Sequence, residues 1–132
     1  GYDTEEKAKA FLQPDCKDLH DPYLFSQMQD AVDCILAAGS MGLRICVFGD
    51  YDCDGVCATA MLTRFLQSMD FEVIPYIPVR CEEGYGLNKG AIDALAEMGV
   101  ELLITVDCGI SAAEEVAYAY ERGMEVVVTD HH

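Results

Sequence analysis

The stretch of sequence that decides the fold reads Arg44-Ile-Cys-Val-Phe48 and continues as Gly49-Asp-Tyr-Asp-Cys-Asp-Gly55. Its first half is an apolar run bounded by glycines, which predicts a buried strand. Its second half places three aspartates on alternate positions directly after that strand. A helix is predicted next, because apolar side chains recur at helical spacing, at Ala58, Leu62, Phe65, Leu66 and Met69. The stretch therefore predicts a strand–helix unit with carboxylates at the junction.

The rest of the chain repeats this alternation. Further strands are predicted at residues 71–77, 102–106 and 125–129, and Pro75 in the first of them indicates a sheet edge or a bulge. Helices are predicted between them, one ending before Gly99 and one opened by a capping box of Ser111 and Glu114 and closing near Gly123. Such alternation is typical of right-handed βαβ units. We therefore predict a three-layer α/β/α, Rossmann-like fold with a mainly parallel sheet of about four to five strands.

The amino-terminal residues differ in character from the rest. Residues 1–21 are polar and read as an irregular extension. Asp21 followed by Pro22 is typical of a helix start, and Leu24, Met28, Val32 and Ile35 continue at helical spacing to Gly39. A chain of 132 residues has room for one domain. We place that domain at residues 22–132.

The charge balance restricts the possible partners. The chain has 24 acidic and 8 basic residues, a net charge of −16. A domain that gripped nucleic acid by itself would carry lysines and arginines to neutralise phosphates. Contact with DNA therefore requires masking of the acids by metal cations, or a positive surface from another domain. The apolar runs are too short to cross a membrane.

Seven cysteines raise the question of a disulfide or metal framework. Their number is odd and no pair has the Cys-x-x-Cys spacing. Because most of them sit in apolar or small-residue runs, we interpret them as reduced cysteines used as small core residues. That usage, together with the lack of a signal-peptide pattern, predicts a cytoplasmic location. The cysteines are Cys16, Cys34, Cys46, Cys53, Cys57, Cys81 and Cys108.

Carboxylate or imidazole side chains follow three of the four predicted strands. Asp50, Asp52 and Asp54 follow the first, Asp107-Cys-Gly109 the third, and Asp130-His-His132 the fourth. Parallel strands end at the same sheet edge, so these groups are expected to converge. Alternate aspartates in an extended segment would repel one another without a cation. The combination of carboxylates with imidazoles predicts a site for Mn²⁺ or Mg²⁺, with two ions able to hold a phosphoryl group.

Each motif alone has another interpretation. The alternating aspartates resemble a calcium-binding loop, but position twelve of that loop requires glutamate and here is Met61. Asp107 could belong to a simple turn, and His131-His132 could be the remnant of a tag. The three motifs together favour the metal site.

Three segments resemble the first three signature motifs of the DHH phosphoesterase superfamily. They are Phe48–Gly55, Thr105–Ser111 and Val128–His132. Two others, Glu82–Asn88 and Leu19–Pro22, resemble the RecJ-type exonucleases within it. The resemblance extends over nearly the whole chain from about Phe11, with the motifs in order.

The resemblance implies a two-metal hydrolase, usually preferring Mn²⁺, that degrades single-stranded DNA from the 5′ end in repair and recombination. It assigns metal ligation to Asp52, Asp54, Asp107 and His131, with Asp50 as a ligand or the neighbour of one. It makes His132 a contact to the scissile phosphate or a metal, and Asp130 the group that orients a histidine. It places Arg80, Gly84, Tyr85, Gly86 and Asn88 along the substrate cleft.

Two departures from the family pattern limit these expectations. Phe48 stands where several relatives have a histidine. The family's fourth motif, with a further metal-binding aspartate, and its second domain are not found in these residues. We therefore expect the 132 residues alone to bind divalent metal weakly, to bind DNA weakly and to hydrolyse it poorly.

Two other functions stay open at the level of sequence. One is a phosphodiesterase for short oligonucleotides or cyclic dinucleotides, or a pyrophosphatase, of the same superfamily. The other is a replication-associated relative that kept the fold without hydrolysis.

Overall fold

The computed structural model describes residues 3–78 and 86–132. The chain divides into an amino-terminal unit that ends at Val32 and a larger unit, Asp33–His132. The amino-terminal unit contains helix α1 (Glu5–Leu12) and two short 3₁₀ helices, Cys16–Asp18 and Pro22–Leu24. The domain boundary expected at residue 22 stays a prediction. No helix within the described ranges combines the length and the apolar character that a membrane span needs.

A parallel sheet forms the centre of the larger unit. Within the described residues it has four strands, β1 (Ile45–Gly49), β2 (Val73–Tyr76), β3 (Leu102–Val106) and β4 (Glu125–Thr129), in the spatial order β2-β1-β3-β4. Each neighbouring pair is parallel. The predicted α/β fold with a mainly parallel sheet is thus confirmed, and Pro75 lies on the edge strand β2, as predicted.

Helices connect the strands and cover both faces of the sheet. They are α2 (Met28–Ser40) before β1, α3 (Cys53–Gln67) between β1 and β2, α4 (Lys89–Glu97) before β3, and α5 (Ala113–Glu121) between β3 and β4. The step from β1 to β2 crosses the sheet in the direction opposite to the later steps. Because such connections are right-handed, α3 lies on one face and α4 and α5 lie on the other. Helices α4 and α5 also pack against each other.

The main apolar core lies between the sheet and the α4–α5 layer. Cys46, Phe48 and Leu103 of the central strands pack there against Ile92 and Leu95 of α4. Every residue of β1 and β3 is buried, as expected of central parallel strands covered on both faces. The two strands that carry the first two acidic motifs are therefore the most firmly enclosed part of the molecule.

The amino-terminal part of the chain differs from the sequence prediction. Asp21 does accept a hydrogen bond from the Tyr23 amide at 2.9 Å, but the turn that it caps ends at Leu24. The extended backbone of Phe25, with ψ of 121°, interrupts the helix, and α2 begins only at Met28. The residues expected to be irregular contain α1, whose first turn is capped by the Thr4 hydroxyl.

Helix α3 buries Leu66 as predicted, but its other buried residues are not those of the predicted face. Its buried residues are Gly55, Thr59, Thr63 and Leu66, whereas Phe65 is 62% exposed. The reason is close packing on β1: a Cβ at Gly49 would lie 1.8 Å from the Thr59 hydroxyl oxygen. Only small side chains fit this contact.

The start of α5 also differs. Its N-cap residue is Ala112, with no side-chain hydrogen bond to the helix, so the capping box predicted at Ser111 and Glu114 is wrong.

Candidate metal centre

The register of the sheet brings the three acidic motifs to one level. Gly49 of β1 is the partner of Val106 of β3, and Val106 is the partner of Thr129 of β4. The residues that follow these three are Asp50, Asp107 and Asp130. The predicted convergence of the motifs at one sheet edge therefore follows from strand pairing.

The acidic motifs also lie at the place in the sheet where ligands bind in open α/β folds. The chain leaves β1 toward β2 on one side and leaves β3 toward β4 on the other. The connections thus diverge between β1 and β3, which opens a crevice beyond their carboxyl ends. The motifs after these two strands border that crevice.

Asp107 occupies the middle of the cluster in an unusual conformation. Its φ of 60° lies in the left-handed region, which aspartate tolerates better than most residues. Its side chain is 5% exposed, and Oδ1 lies 2.6 Å from Nε2 of His131. Among the described residues neither oxygen of Asp107 accepts a hydrogen bond of regular geometry. A buried carboxylate without donors is costly unless a positive charge lies beside it, so this position suits a cation.

Asp52 and Asp54 project from the start of α3. Asp52 is the N-cap, and its Oδ1 accepts a hydrogen bond from the Gly55 amide at 3.1 Å. That bond lowers the pKa of Asp52, but desolvation and the carboxylates of Asp54 and Asp50 outweigh it and raise the pKa overall. The pKa of Asp54 is lowered by its own backbone amide, by Asp52 and by the two histidines. The opposite shifts show two carboxylates in direct competition for a proton.

Asp130 holds the last histidine in place. Its Oδ2 accepts a hydrogen bond from the Ile110 amide at 3.0 Å, and its Oδ1 lies 2.6 Å from Nδ1 of His132. Burial raises the pKa of Asp130, but the amide and histidine hydrogen bonds dominate and lower it to about 2. The same contact raises the pKa of His132. The Asp130 carboxylate therefore fixes one ring nitrogen of His132.

His131 connects the acidic motifs. Its Nε2 lies 2.6 Å from Asp107 Oδ1 and 3.8 Å from Asp54 Oδ2, while its ring stacks on His132 with centroids 4.5 Å apart. Side chains from the first turn of α3 and from the segments that follow β3 and β4 therefore meet at His131.

Two groups of potential metal ligands result, and they share one residue. Within the described part of the chain, Asp107, His131 and His132 form one group, and Asp52, Asp54 and Asp107 form the other. In each group the ligand atoms lie within 4.8 Å of one another. An arrangement with one carboxylate common to both groups is suited to two neighbouring cations. Oxygen ligands combined with imidazole match the preferences of Mn²⁺ better than those of Ca²⁺.

Asp50 is the predicted ligand that belongs to neither group. It is 1% exposed, and its Oδ1 accepts a hydrogen bond from the Tyr51 amide at 2.7 Å. A Cβ at Gly55 would lie 2.7 Å from the Asp50 carbonyl oxygen, so the start of α3 rests directly on this residue. In this structure Asp50 is buried under the segment that leads from β1 into α3 and packs against it.

The residues predicted to border the substrate cleft are described only in part. Arg80, Gly84 and Tyr85, with most of the segment Glu82–Asn88, lie outside the described residues. Gly86 has φ of 74°, and Asn88 is the N-cap of α4, accepting a hydrogen bond from the Ala91 amide at 2.9 Å. Gly86 and Asn88 therefore lie at the amino-terminal end of α4, where the chain turns into the helix.

A groove that the sequence did not reveal runs from the cluster along α3. It has a volume of about 620 Å³ and joins Asp54, Asp107 and His131 to the apolar side chains of Met61 and Phe65. The apolar side chains of α3 are the sequence signal for this groove, because several of them line it instead of packing in the core.

The cysteines occupy varied positions. Cys46 and Cys108 are buried and Cys34 is half-buried, as expected of small core residues, but Cys16, Cys53 and Cys57 are exposed. The core interpretation is therefore wrong for these three. None of the six described cysteines is in a disulfide.

A family model and the similar proteins of known function both relate this chain to the DHH family. The model of the DHH family, N-terminal domain, matches residues 44–132. The single-stranded-DNA-specific exonuclease RecJ of Bacillus subtilis (strain 168) is 43% identical over 132 residues, which is all of this chain and 17% of that protein. RecJ of Thermus thermophilus is 43% identical over 105 residues, 80% of this chain and 16% of that protein. The chain thus spans less than a fifth of either relative.

Solved structures that resemble this chain are also of RecJ exonucleases. A crystal structure of exonuclease RecJ bound to manganese superposes with a TM-score of 0.73 at 43% identity, over 79% of this chain and 27% of that one. RecJ of Thermus thermophilus in complex with Mn²⁺ gives a TM-score of 0.67 at 38% identity, over 79% of this chain and 14% of that one.

Proposed function

The chain belongs to the DHH family, and on that premise we propose that it supplies the metal-binding part of the active site of a RecJ-type exonuclease. The reaction would be hydrolysis of phosphodiester bonds in single-stranded DNA, from the 5′ end. The observation that carries the proposal is the pair of ligand groups that share Asp107.

The proposed cation sites follow from this geometry. Asp52, Asp54 and Asp107 would hold one divalent ion, and Asp107, His131 and His132 would hold the other, with Mn²⁺ or Mg²⁺ as the ions. When bound, a pair of such ions would polarise a phosphoryl oxygen and lower the pKa of a bound water. Fit is supported by the buried Asp107 oxygens, which lack regular hydrogen bonds among the described residues.

The remaining residues would orient these ligands. Asp130 accepts the His132 Nδ1–H, which leaves Nε2 as the nitrogen available to a cation or a phosphate oxygen. Asp50, held beneath the loop, positions the start of α3 and with it Asp52 and Asp54.

The DNA partner is supported by the relatives, named as single-stranded-DNA-specific exonucleases, which are far longer than this chain. With a net charge of −16, the 132 residues themselves offer little attraction to a phosphate backbone. We therefore infer that tight binding of DNA requires both bound cations and further parts of a longer protein. The exposed free cysteines favour a reducing, cytoplasmic location.

The test is hydrolysis by the full-length protein with Mn²⁺, offered single-stranded DNA labelled at either end, duplex DNA, short oligonucleotides, cyclic dinucleotides and pyrophosphate. Preferential digestion of single strands from the 5′ end supports the proposal. Exclusive hydrolysis of a small phosphoester would show a different member of the superfamily. Binding of Mn²⁺ without any hydrolysis would contradict enzymatic function.

A further inference from the structure

Two exposed thiols lie one helical turn apart beside the proposed metal centre. Cys53 is the first residue of α3, and Cys57 follows four positions later. Residues at this spacing share one face of a helix. Both cysteines are free and exposed. Nothing in the proposed hydrolysis uses either thiol.

We propose that Cys53 and Cys57 form a reversible disulfide when the protein is oxidised, and that this bond inactivates the metal centre. The proposed loss of metal binding rests on the function inferred above, whereas formation of the bond does not. In a reducing cytoplasm, disulfides of this kind are transient and serve in redox sensing.

The geometry explains why the bond would disturb the helix. A disulfide needs Cβ atoms about 3.5–4.5 Å apart. Helical residues four apart keep their Cβ atoms about 5–6 Å apart. Closing the bond between Cys53 and Cys57 therefore requires the first turn of α3 to distort.

That turn carries half of the proposed site. Asp54 lies between the two cysteines, and Asp52 is the cap that accepts the Gly55 amide at 3.1 Å. Gly55 rests against the backbone of Asp50, so the turn cannot move inward as a unit. A distortion there displaces the Asp52 and Asp54 carboxylates from the ligand group that they form with Asp107.

The chemistry needs a two-electron oxidant, for which we name hydrogen peroxide. One thiol attacks the peroxide, the O–O bond breaks, and the products are a sulfenic acid and water. The second thiol attacks the sulfenic sulfur, the S–S bond forms, and a second water leaves. A thiol reductant reverses the step.

Two of the other described cysteines are poor competitors for the oxidant. Cys46 and Cys108 are buried, and burial raises the pKa of each to about 12. Cys16 is exposed and does not belong to α3, which makes it a suitable control.

The test compares reduced and peroxide-treated protein. Peptide mass spectrometry is expected to find residues 53 and 57 joined, with the loss of two hydrogens. Mn²⁺ binding, followed by electron paramagnetic resonance of the free ion, is expected to weaken about tenfold or more and to recover with dithiothreitol. Cys53→Ser and Cys57→Ser are expected to abolish both effects, and Cys16→Ser to preserve them.

The outcomes separate this proposal from the previous one. Absence of the Cys53–Cys57 bond after treatment, or its presence with unchanged Mn²⁺ affinity, would overturn the redox proposal. Reduced protein that binds no Mn²⁺ would instead overturn the metal site, while the disulfide could still be found by mass spectrometry.

Discussion

Among the described residues, Asp107 is the one that both groups of potential metal ligands share. Its left-handed backbone turns a buried carboxylate toward both ligand groups, and it has no regular hydrogen bonds among the described residues. Strained or unsatisfied groups persist where the surrounding structure holds them for function. The contact with His131 Nε2 at 2.6 Å offsets part of the cost of burying this carboxylate, and the proposed cations would offset more of it.

Replacement of this side chain should separate binding from folding. Asp107→Asn keeps the shape and tolerates the same φ, but it removes the negative charge common to the two groups. We expect Mn²⁺ affinity to fall at least about a hundredfold, as measured by calorimetry, with the unfolding free energy unchanged or higher. Asp70→Asn is the matched control, since Asp70 also has positive φ, at 61°, but lies outside both groups. Equal affinity in the two variants would contradict the role of Asp107.

The orientation of His132 makes a milder prediction. Asp130→Asn keeps an acceptor for the Ile110 amide but weakens the 2.6 Å contact to His132 Nδ1. Loss of such a partner typically lowers metal affinity by about 10–100-fold. Calorimetry should therefore find weaker Mn²⁺ binding with unchanged stoichiometry. Asp93→Asn is the control, because Asp93 pairs with Arg122 and Tyr118 away from both ligand groups, and this variant should keep its Mn²⁺ affinity. A similar loss of Mn²⁺ affinity in Asp93→Asn would contradict the role of Asp130 in orienting His132.

The acidic motifs could be located from the sequence, but their individual roles could not. Parallel strands oblige their carboxyl ends to meet, which predicted the cluster. The alternation of Asp50, Asp52 and Asp54 suggested three side chains pointing one way. In the structure the helix begins at Cys53, so the extended alternation ends and Asp50 points inward. The shared position of Asp107 depends on its φ, which no residue pattern expressed.

The strands were predicted more accurately than the helix boundaries. β3 and β4 have the predicted bounds, because short apolar, β-branched runs leave little choice of boundary. Helix starts depend on single hydrogen bonds. Asp21 capped only a 3₁₀ turn, and Ser111 capped nothing. Of the predicted apolar face of α3, Leu66 is buried, but the threonines that share its burial were not predicted, because close contact with Gly49 selects threonine over larger apolar residues.

The seating of α3 on β1 gives a prediction about stability. In Gly55→Ala the new methyl would lie 2.7 Å from the Asp50 carbonyl oxygen, so α3 must shift. We expect a loss of about 1–3 kcal/mol in urea unfolding, with weaker Mn²⁺ binding. Gly90→Ala is the control, because Gly90 is a helical glycine whose nearest contact would be 3.4 Å. That variant should be neutral or more stable by about 0.5–1 kcal/mol, and a similar loss in both would contradict the packing argument.

At the level of the whole molecule, excess negative charge is the dominant property. The net charge is −16. Several of the carboxylates lie together at one sheet edge, where the crevice between β1 and β3 opens. Cations that bind only the folded chain stabilise it by mass action. Mn²⁺ at a hundred times its dissociation constant should add about 2.7 kcal/mol per site to the unfolding free energy. Differential scanning calorimetry should find a higher Tm with Mn²⁺ in the wild type and little change in Asp107→Asn, and an equal rise in both would contradict specific binding at this edge.

The most direct measurement is anomalous diffraction from crystals grown with Mn²⁺. We predict two manganese peaks at the carboxyl ends of β1, β3 and β4, both in contact with the Asp107 carboxylate. Asp52 and Asp54 would complete one site, and His131 and His132 the other. A single peak, or peaks away from Asp107, would contradict the shared two-ion centre.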